Sequence, residues 1–276
     1  MEEDKTDSAT DPPPWIGSDA LKGLPSQRTS GKPTVQDWSN FDGLVARKLT
    51  LKQGEQTVVS NVSFSIPQGS LVALVGPNGG GKSTLLDALA TRTTPYRGYV
   101  GGKSGAIAYL PQRASMDLSF PLSVRDIVGS GLWPRLGFFR PFTRLHQKAV
   151  SEALRAAGMS AFASHPISEL SGGQFQRALF ARLIVQGGDT LLLDEPFTGV
   201  DMPTIDTLMK LVNALNKEGR TLIITLHDID LVRSFFPYTL LLARDFWRWG
   251  RTKTVLTPPQ LSEAYINASN WSTCAC

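Results

Sequence analysis

The spacing of apolar and polar residues predicts alternating strands and helices. Apolar and polar positions alternate at 44–51 and 57–66, on either side of a Gln53-Gly54-Glu55 turn, which predicts two paired antiparallel strands. Short apolar runs are typical of strands, and unbroken ones suit a buried parallel sheet; we place strands at 70–75, 106–110, 190–194 and 221–226. Apolar residues at helical spacing predict helices at 85–90, 124–128, 145–159, 174–186 and 202–217. This alternation predicts an α/β fold with right-handed connections and a mostly parallel core sheet.

The predicted elements divide the chain into regions of different character. The antiparallel pair forms a β subdomain near the N-terminus, and the helical stretch at about 113–185 forms an inserted α-helical subdomain. Leu145 and Ala153 lie on one stripe of its helix at 145–159. Residues 1–40 are rich in Asp, Ser, Pro and Gly, so we expect a disordered tail. One domain then covers 41–267, and 268–276 is a short C-terminal tail.

Composition narrows the class of protein. The chain has 276 residues, a net charge of +4 and scattered basic residues, so no nucleic-acid partner is indicated. It has no run of 18 apolar residues and no secretory signal, which predicts a protein that does not span a membrane. Its two cysteines, Cys274 and Cys276, exclude a disulfide framework and fit a reducing cytosol. The pair could hold a soft metal ion, but a plain tail is the favoured interpretation.

A glycine-rich loop between the strand at 70–75 and the helix at 85–90 predicts binding of a nucleoside triphosphate. It fits the pattern G-x-x-x-x-G-K-[ST] with the residues Gly76, Pro77, Asn78, Gly79, Gly80, Gly81, Lys82, Ser83 and Thr84. Glycines let backbone N–H groups close around an anion, and the following helix N-terminus adds partial positive charge. We expect Lys82 to reach the β- and γ-phosphates and Ser83 to ligate Mg²⁺.

Two further clusters carry chemistry. The strand at 190–194 ends in Asp194 and Glu195, which suit Mg²⁺ binding and general-base activation of water, respectively. Ser171, Gly172, Gly173 and Gln174 open a predicted helix, so their backbone N–H groups form a second candidate anion site.

The chain resembles the ATP-binding subunit of ABC transporters over about residues 44–265. Five elements occur in that family's order, namely the loop at 76–84 (Walker A), Gln112 (Q-loop), 170–174 (signature), 191–195 (Walker B) and His227 (switch histidine). Asp201 lies where the family has its D-loop. The resemblance implies a P-loop NTPase core that uses ATP and Mg²⁺, with Glu195, His227 and Gln112 as catalytic residues and Ser83, Gln112 and Asp194 around the metal.

The resemblance also implies partners. Two copies would form a head-to-tail dimer in which residues 171–174 of one copy contact the ATP held by the other. The dimer would bind permease subunits at the cytoplasmic face of the plasma membrane. Segments such as 110–113, 120–124 and 193–201 are similar to the ATPases of manganese, zinc and iron importers, in which an extracytoplasmic metal-binding protein delivers the ion.

Several alternatives and departures stay open at this point. An importer of an iron chelate or a vitamin is the runner-up, and a soluble non-transport ABC ATPase is a further alternative. Gln53 occupies the place where the family usually has an aromatic residue that stacks on adenine. Trp247 and Trp249 either pack internally, against a C-terminal helix, or form an exposed contact. The aromatic segment 132–142 either packs on itself or receives a helix of the permease.

Overall fold

The computed structural model describes residues 41–90, 95–112, 120–136 and 141–273. The predicted tail at 1–40, Cys274, Cys276 and residues 137–140 of the aromatic segment lie outside the described residues. The strands are β1 Gly43–Gln53, β2 Gln56–Pro67, β3 Leu71–Val75, β4 Arg97–Gly101, β5 Ile107–Leu110, β6 Thr190–Leu193, β7 Thr221–Leu226, β8 Tyr238–Ala243 and β9 Phe246–Arg251. The helices are α1 Lys82–Leu89, α2 Val124–Gly129, α3 Trp133–Leu136, α4 Arg144–Ala156, α5 Gly172–Gln186, α6 Met202–Lys217, α7 Ile229–Phe235, α8 Thr252–Val255 and α9 Pro258–Thr273.

The core is a six-stranded sheet with the strand order β5-β6-β7-β3-β8-β9. Every neighbouring pair is parallel except β8 and β9, which form an antiparallel hairpin. Strands β3, β6, β7 and β8 are buried along their whole length, as their continuous apolar runs require. The mostly parallel α/β core that the sequence predicts is therefore confirmed.

A second, antiparallel sheet has the order β2-β1-β4. The pairing of β1 with β2, around the predicted turn, is confirmed by the register that joins Gln53 to Gln56. The sequence analysis missed β4, because this edge strand is mostly exposed and holds two glycines, and so shows no alternation.

Helices α2 to α5 lie between β5 and β6 in the chain, in the region where the helical subdomain is predicted. Val150, Ala153 and Leu154 of α4 are buried, but Leu145, which shares the predicted stripe with Ala153, is 76% exposed. Leu145 belongs to the first turn of α4, which the structure leaves in solvent. Helix α9 runs across the predicted boundary at 267, and the domain limits stay predictions.

The tryptophans of β9 are packed within the fold. The Trp249 ring stacks on Tyr238 of β8 with 5.9 Å between ring centroids, and lies 6.5 Å from Phe64 of β2. Trp247 is half-buried. Packing is therefore favoured over an exposed contact, but for Trp249 these partners are strands rather than the C-terminal helix. Among the described residues, no helix has the length and apolar content needed to cross a membrane.

Candidate active site

The phosphate loop joins β3 to α1 and is held against strand β8. Gly76 has φ +156°, and a Cβ at this position would overlap the carbonyl oxygen of Leu242. The amide of Arg244, just after β8, donates to the Gly80 carbonyl at 3.1 Å, and Gly80 donates to Pro77 at 3.1 Å. The glycine at position 76 is therefore required by the close approach of β8 to the loop.

The loop ends where helix α1 begins. Gly81 is the N-cap of α1 in the left-handed conformation, with φ +92°. A Cβ there would lie 2.6 Å from the Val59 side chain and 2.9 Å from the Val58 carbonyl oxygen. The N–H groups of the first turn have no intrahelical acceptors. This end of α1 can therefore bind an anion, as the sequence predicts.

Lys82 places its charge inside the loop. Its ammonium group donates to the carbonyl oxygens of Gly76 and Pro77, each at 2.9 Å, and the residue is 6% exposed. Burial lowers the pKa of the Lys82 ammonium, and the nearby carboxylates of Glu195 and Asp194 oppose that shift. A phosphate that enters the loop would offer this cation anionic oxygens in place of neutral carbonyls.

The two acidic residues after β6 lie in different environments. Asp194 is buried, with its Oδ1 atom accepting a hydrogen bond from Thr225 at 2.8 Å. Glu195 has φ +48°, an uncommon conformation for a residue with a side chain. The two adjacent acidic residues therefore lie in different surroundings, Asp194 inside the fold and Glu195 on the wall of a cleft.

The Glu195 carboxylate is held by three side chains. The Nε2 atom of His227 lies 2.7 Å from Oε1, while Gln112 donates to Oε2 at 3.0 Å and Thr198 donates to it at 3.3 Å. An ionised carboxylate only accepts hydrogen bonds, so His227 donates from Nε2. The structure thus brings the three predicted catalytic residues together, although they are far apart in the chain.

A cleft of about 500 Å³ connects these groups. Its size suits a nucleotide-sized ligand. The described residues that line it are Gln53, Val58, Asn78, Gly79, Gly81, Lys82, Ser83, Thr84, Gln112, Glu195, Thr198 and His227. Gln53 therefore does lie on the cleft wall, and no phenylalanine, tyrosine or tryptophan is among the described residues that line it.

The available oxygen donors suit Mg²⁺. Ser83 and Gln112 line the cleft, and the Asp194 carboxylate lies near enough to Lys82 to shift its pKa. Hydroxyl, amide and carboxylate oxygens are hard ligands of the kind that Mg²⁺ prefers. These three residues fit the ion.

The signature residues lie outside the lining of this cleft. Ser171 is the exposed N-cap of α5, and it accepts a hydrogen bond from the Gln174 amide while its own amide donates to the Gln174 side chain. A Cβ at Gly173 would lie 3.2 Å from Oδ1 of Asp201. Asp201 caps α6 by accepting hydrogen bonds from Thr204, and the Thr204 hydroxyl is the main cause of its lowered pKa.

Sequence reasoning missed two residues of the site, Thr225 and Thr198. Thr225 is a polar residue near the end of the apolar run at 221–226, and this interruption was the available signal. Thr198 follows Glu195 by three residues and gave no separate signal.

Comparison with known proteins places this geometry in a family. The family model described as "ABC transporter" matches residues 59–198 of this chain. The chain is 34% identical over 227 residues to the manganese transport system ATP-binding protein MntB of Listeria innocua, covering 80% of this chain and 95% of that protein. It is 38% identical over 225 residues to the zinc transport system ATP-binding protein TroB of Treponema pallidum, covering 79% and 84%.

A solved structure agrees with these relatives. A chain from an ABC transporter assigned to the metal-chelate type, in an inward-facing conformation, superposes with a TM-score of 0.75 and 29% identity. The match covers 81% of this chain and 89% of that one.

Proposed function

This chain belongs to the ABC transporter family and is an ATPase, and from that premise we propose that it energises import of a divalent metal ion, zinc or manganese. The ion would cross the membrane through a separate permease. The observation that carries the proposal is the single cleft in which Lys82, Gln112, Glu195 and His227 converge. The choice of metal rests on the similarity to MntB and TroB.

Each residue of the cleft has a role in hydrolysis that follows from its chemistry. Lys82 and the N–H groups at the start of α1 bind the β- and γ-phosphates of ATP. Ser83, Asp194 and Gln112 would hold Mg²⁺, and the ion would supply positive charge to neutralise the phosphates. Glu195 accepts the proton of the attacking water, and His227 donates to the γ-phosphate.

The hydrogen bonds of Glu195 indicate which contacts would change on binding of ATP. Both carboxylate oxygens of Glu195 accept hydrogen bonds, one from His227 and the other from Gln112. An ionised carboxylate has about four lone-pair sites, so these hydrogen bonds take up part of the acceptor capacity that a proton from water would use. Binding of ATP would offer His227 a phosphate oxygen in place of Oε1 of Glu195, which would free that carboxylate oxygen for the attacking water.

The location of the signature residues supports a dimer. Ser171 and Gly173 present a helix N-terminus, with its capacity for an anion, outside the cleft of their own chain. A second copy, arranged head to tail, would bring residues 171–174 to the γ-phosphate bound by the first copy. ATP binding would close this dimer, and hydrolysis with product release would reopen it.

Exposed aromatic residues of the helical region support a permease contact. Phe120, Trp133 and Phe142 are all exposed, as is Leu145 of α4. Aromatic side chains are favoured at protein interfaces. We assign this surface to a helix of the permease, and the dimer would thereby lie against the cytoplasmic face of the membrane.

One experiment tests the proposed function. The chain is purified with its permease, reconstituted in lipid vesicles, and supplied with the extracytoplasmic binding protein loaded with Zn²⁺, Mn²⁺ or an iron chelate. We expect Zn²⁺ or Mn²⁺ to stimulate ATP hydrolysis and to enter the vesicles, with Glu195→Gln as the inactive control. Stimulation by the chelate alone would favour the runner-up, which the metal-chelate structural relative supports. Hydrolysis that no transported substrate stimulates would contradict an importer.

A further inference from the structure

A single hydroxyl group joins the two acidic residues of the active site. Thr225 Oγ1 donates to Oδ1 of Asp194 at 2.8 Å and accepts from the backbone N–H of Glu195 at 2.5 Å. Thr225 is fully buried near the end of β7, and Asp194 is buried beside it. The hydroxyl therefore contacts the side chain of one acid and the backbone of the next.

Only a hydroxyl can make both contacts at this point. It carries one proton to donate and lone pairs to accept, all on one atom. A valine has nearly the same shape as threonine but neither capacity, and a serine has both capacities without the methyl group. The chemistry of the contact can thus be separated from its packing by substitution.

The two contacts hold different parts of two adjacent residues, the carboxylate of Asp194 and the backbone N–H of Glu195. The Asp194 carboxylate is buried, and the hydrogen bond from Thr225 to its Oδ1 atom fixes the direction of that oxygen. Glu195 has φ +48°, and the bond to its N–H fixes the peptide from which its side chain reaches Gln112 and His227. A residue other than glycine keeps a left-handed backbone conformation only when the surrounding structure holds it there.

We propose that Thr225 is a positioning residue of the ATPase, which sets the Asp194 carboxylate for Mg²⁺ and the Glu195 backbone for activation of water. The proposal rests on the roles proposed above for Asp194 and Glu195. Thr225 acts only through these two residues and does not line the nucleotide cleft.

The test compares Thr225→Val, Thr225→Ser and the control Thr221→Val in the full chain. Thr221 is also buried in β7, and its hydroxyl accepts a hydrogen bond from the Gly69 amide at 2.8 Å, away from the active site. Three quantities are measured: ATP affinity in EDTA, affinity of the ATP complex for Mn²⁺ by electron paramagnetic resonance, and the ATPase rate constant at saturating Mg²⁺.

We expect Thr225→Val to weaken Mn²⁺ binding about 10-fold and to lower the rate constant about 10- to 100-fold, as for loss of hydrogen bonds at charged groups. ATP affinity in EDTA should stay within about threefold, because the phosphate loop is unchanged. Thr225→Ser should behave like the wild type, and so should Thr221→Val.

Three results would overturn the proposal. Normal Mn²⁺ affinity and turnover in Thr225→Val would show that the hydroxyl is dispensable. Equal losses in Thr225→Ser would assign the effect to packing, and equal losses in Thr221→Val would assign it to strand stability. Glu195→Gln is measured alongside as a test of the proposed function. Full activity of Glu195→Gln would remove the role proposed for Glu195. An inactive Glu195→Gln together with a fully active Thr225→Val would reject only the role of Thr225.

Discussion

Replacement of Lys82 by methionine should separate nucleotide binding from folding. The Lys82 ammonium donates to two loop carbonyls at 2.9 Å and is 6% exposed, so it is a buried charge with neutral partners. Hydrogen bonds from a charged donor contribute about 1.5–3 kcal/mol each, and removal of an ammonium from water costs several kcal/mol. The two terms nearly cancel, and methionine fills similar space.

We therefore expect Lys82→Met to change the free energy of unfolding without nucleotide by less than about 2 kcal/mol, a Tm change of roughly 4–8 °C for a domain of this size. ATP binding should suffer far more. The loss of a buried charge from a phosphate costs about 3–5 kcal/mol, which corresponds to a Kd at least 100-fold higher.

Isothermal titration calorimetry with ATP and thermal unfolding without nucleotide measure the two effects. A Lys82→Met variant that binds ATP within about threefold of the wild type would refute the phosphate contact. A loss of Tm well beyond the expected range would show instead that the two carbonyl contacts hold the loop together.

The pH dependence of stability gives a second readout of the same residue. Burial lowers the pKa of Lys82 in the folded protein, against the opposing charges of Glu195 and Asp194. Between that lowered pKa and the unfolded value of about 10.4, the unfolded chain binds more protons, so stability rises with pH. The wild type should therefore gain stability relative to Lys82→Met as pH rises through this window, as measured by Tm, and a parallel pH profile would contradict the burial of a charged Lys82.

Three further predictions concern other parts of the site. Glu195→Gln should retain ATP binding, lose turnover at least about 100-fold and accumulate as a dimer on size-exclusion chromatography with ATP; an unchanged hydrolysis rate would remove Glu195 as the base. Gly76→Ala should lower Tm by about 6–12 °C, since its Cβ overlaps the Leu242 carbonyl. A Cβ at Gly79 has open space around it, so Gly79→Ala should lower Tm by only about half as much. Gln53→Tyr should tighten ATP binding about 10-fold, because the tyrosine ring can stack on the base. The Kd for ATP is measured with the Kd for GTP as a comparison, and an unchanged affinity for ATP would place the base away from Gln53.

The phosphate loop and the acids after β6 could be predicted from the sequence because their chemistry is contiguous. The loop at 76–84 supplies glycines, a lysine and a hydroxyl within one short segment, and Asp194 and Glu195 are adjacent. The apolar runs of β3, β6 and β7 were predictable in the same way, whereas the buried strand β8 at Tyr238–Ala243 and its partner β9 were missed. Local pattern was sufficient where a single segment holds the whole function.

The features that sequence reasoning missed depend on contacts between segments. The role of Thr225 follows from the register that pairs Leu193 with Ile224, which places its hydroxyl beside Asp194. No property of the run at 221–226 fixes that register. The exposure of Leu145 likewise depends on where the neighbouring helices end, whereas the spacing of apolar residues gives only its face of the helix.

The short segment after β6 lies between Glu195 of the cleft and Gly173 of the signature. Thr198 donates to Glu195 within the chain's own cleft, and Asp201, three residues later, caps α6 beside Gly173 of the signature. In the proposed dimer, Gly173 approaches the ATP of the other copy, while Glu195 acts on the ATP of its own. A Cβ at Gly173 would lie 3.2 Å from Oδ1 of Asp201, so the signature glycine and the segment that supports Glu195 lie close together in the fold. Residues 198–201 therefore lie between the base that we propose for one ATP and the signature residues that we propose for the other.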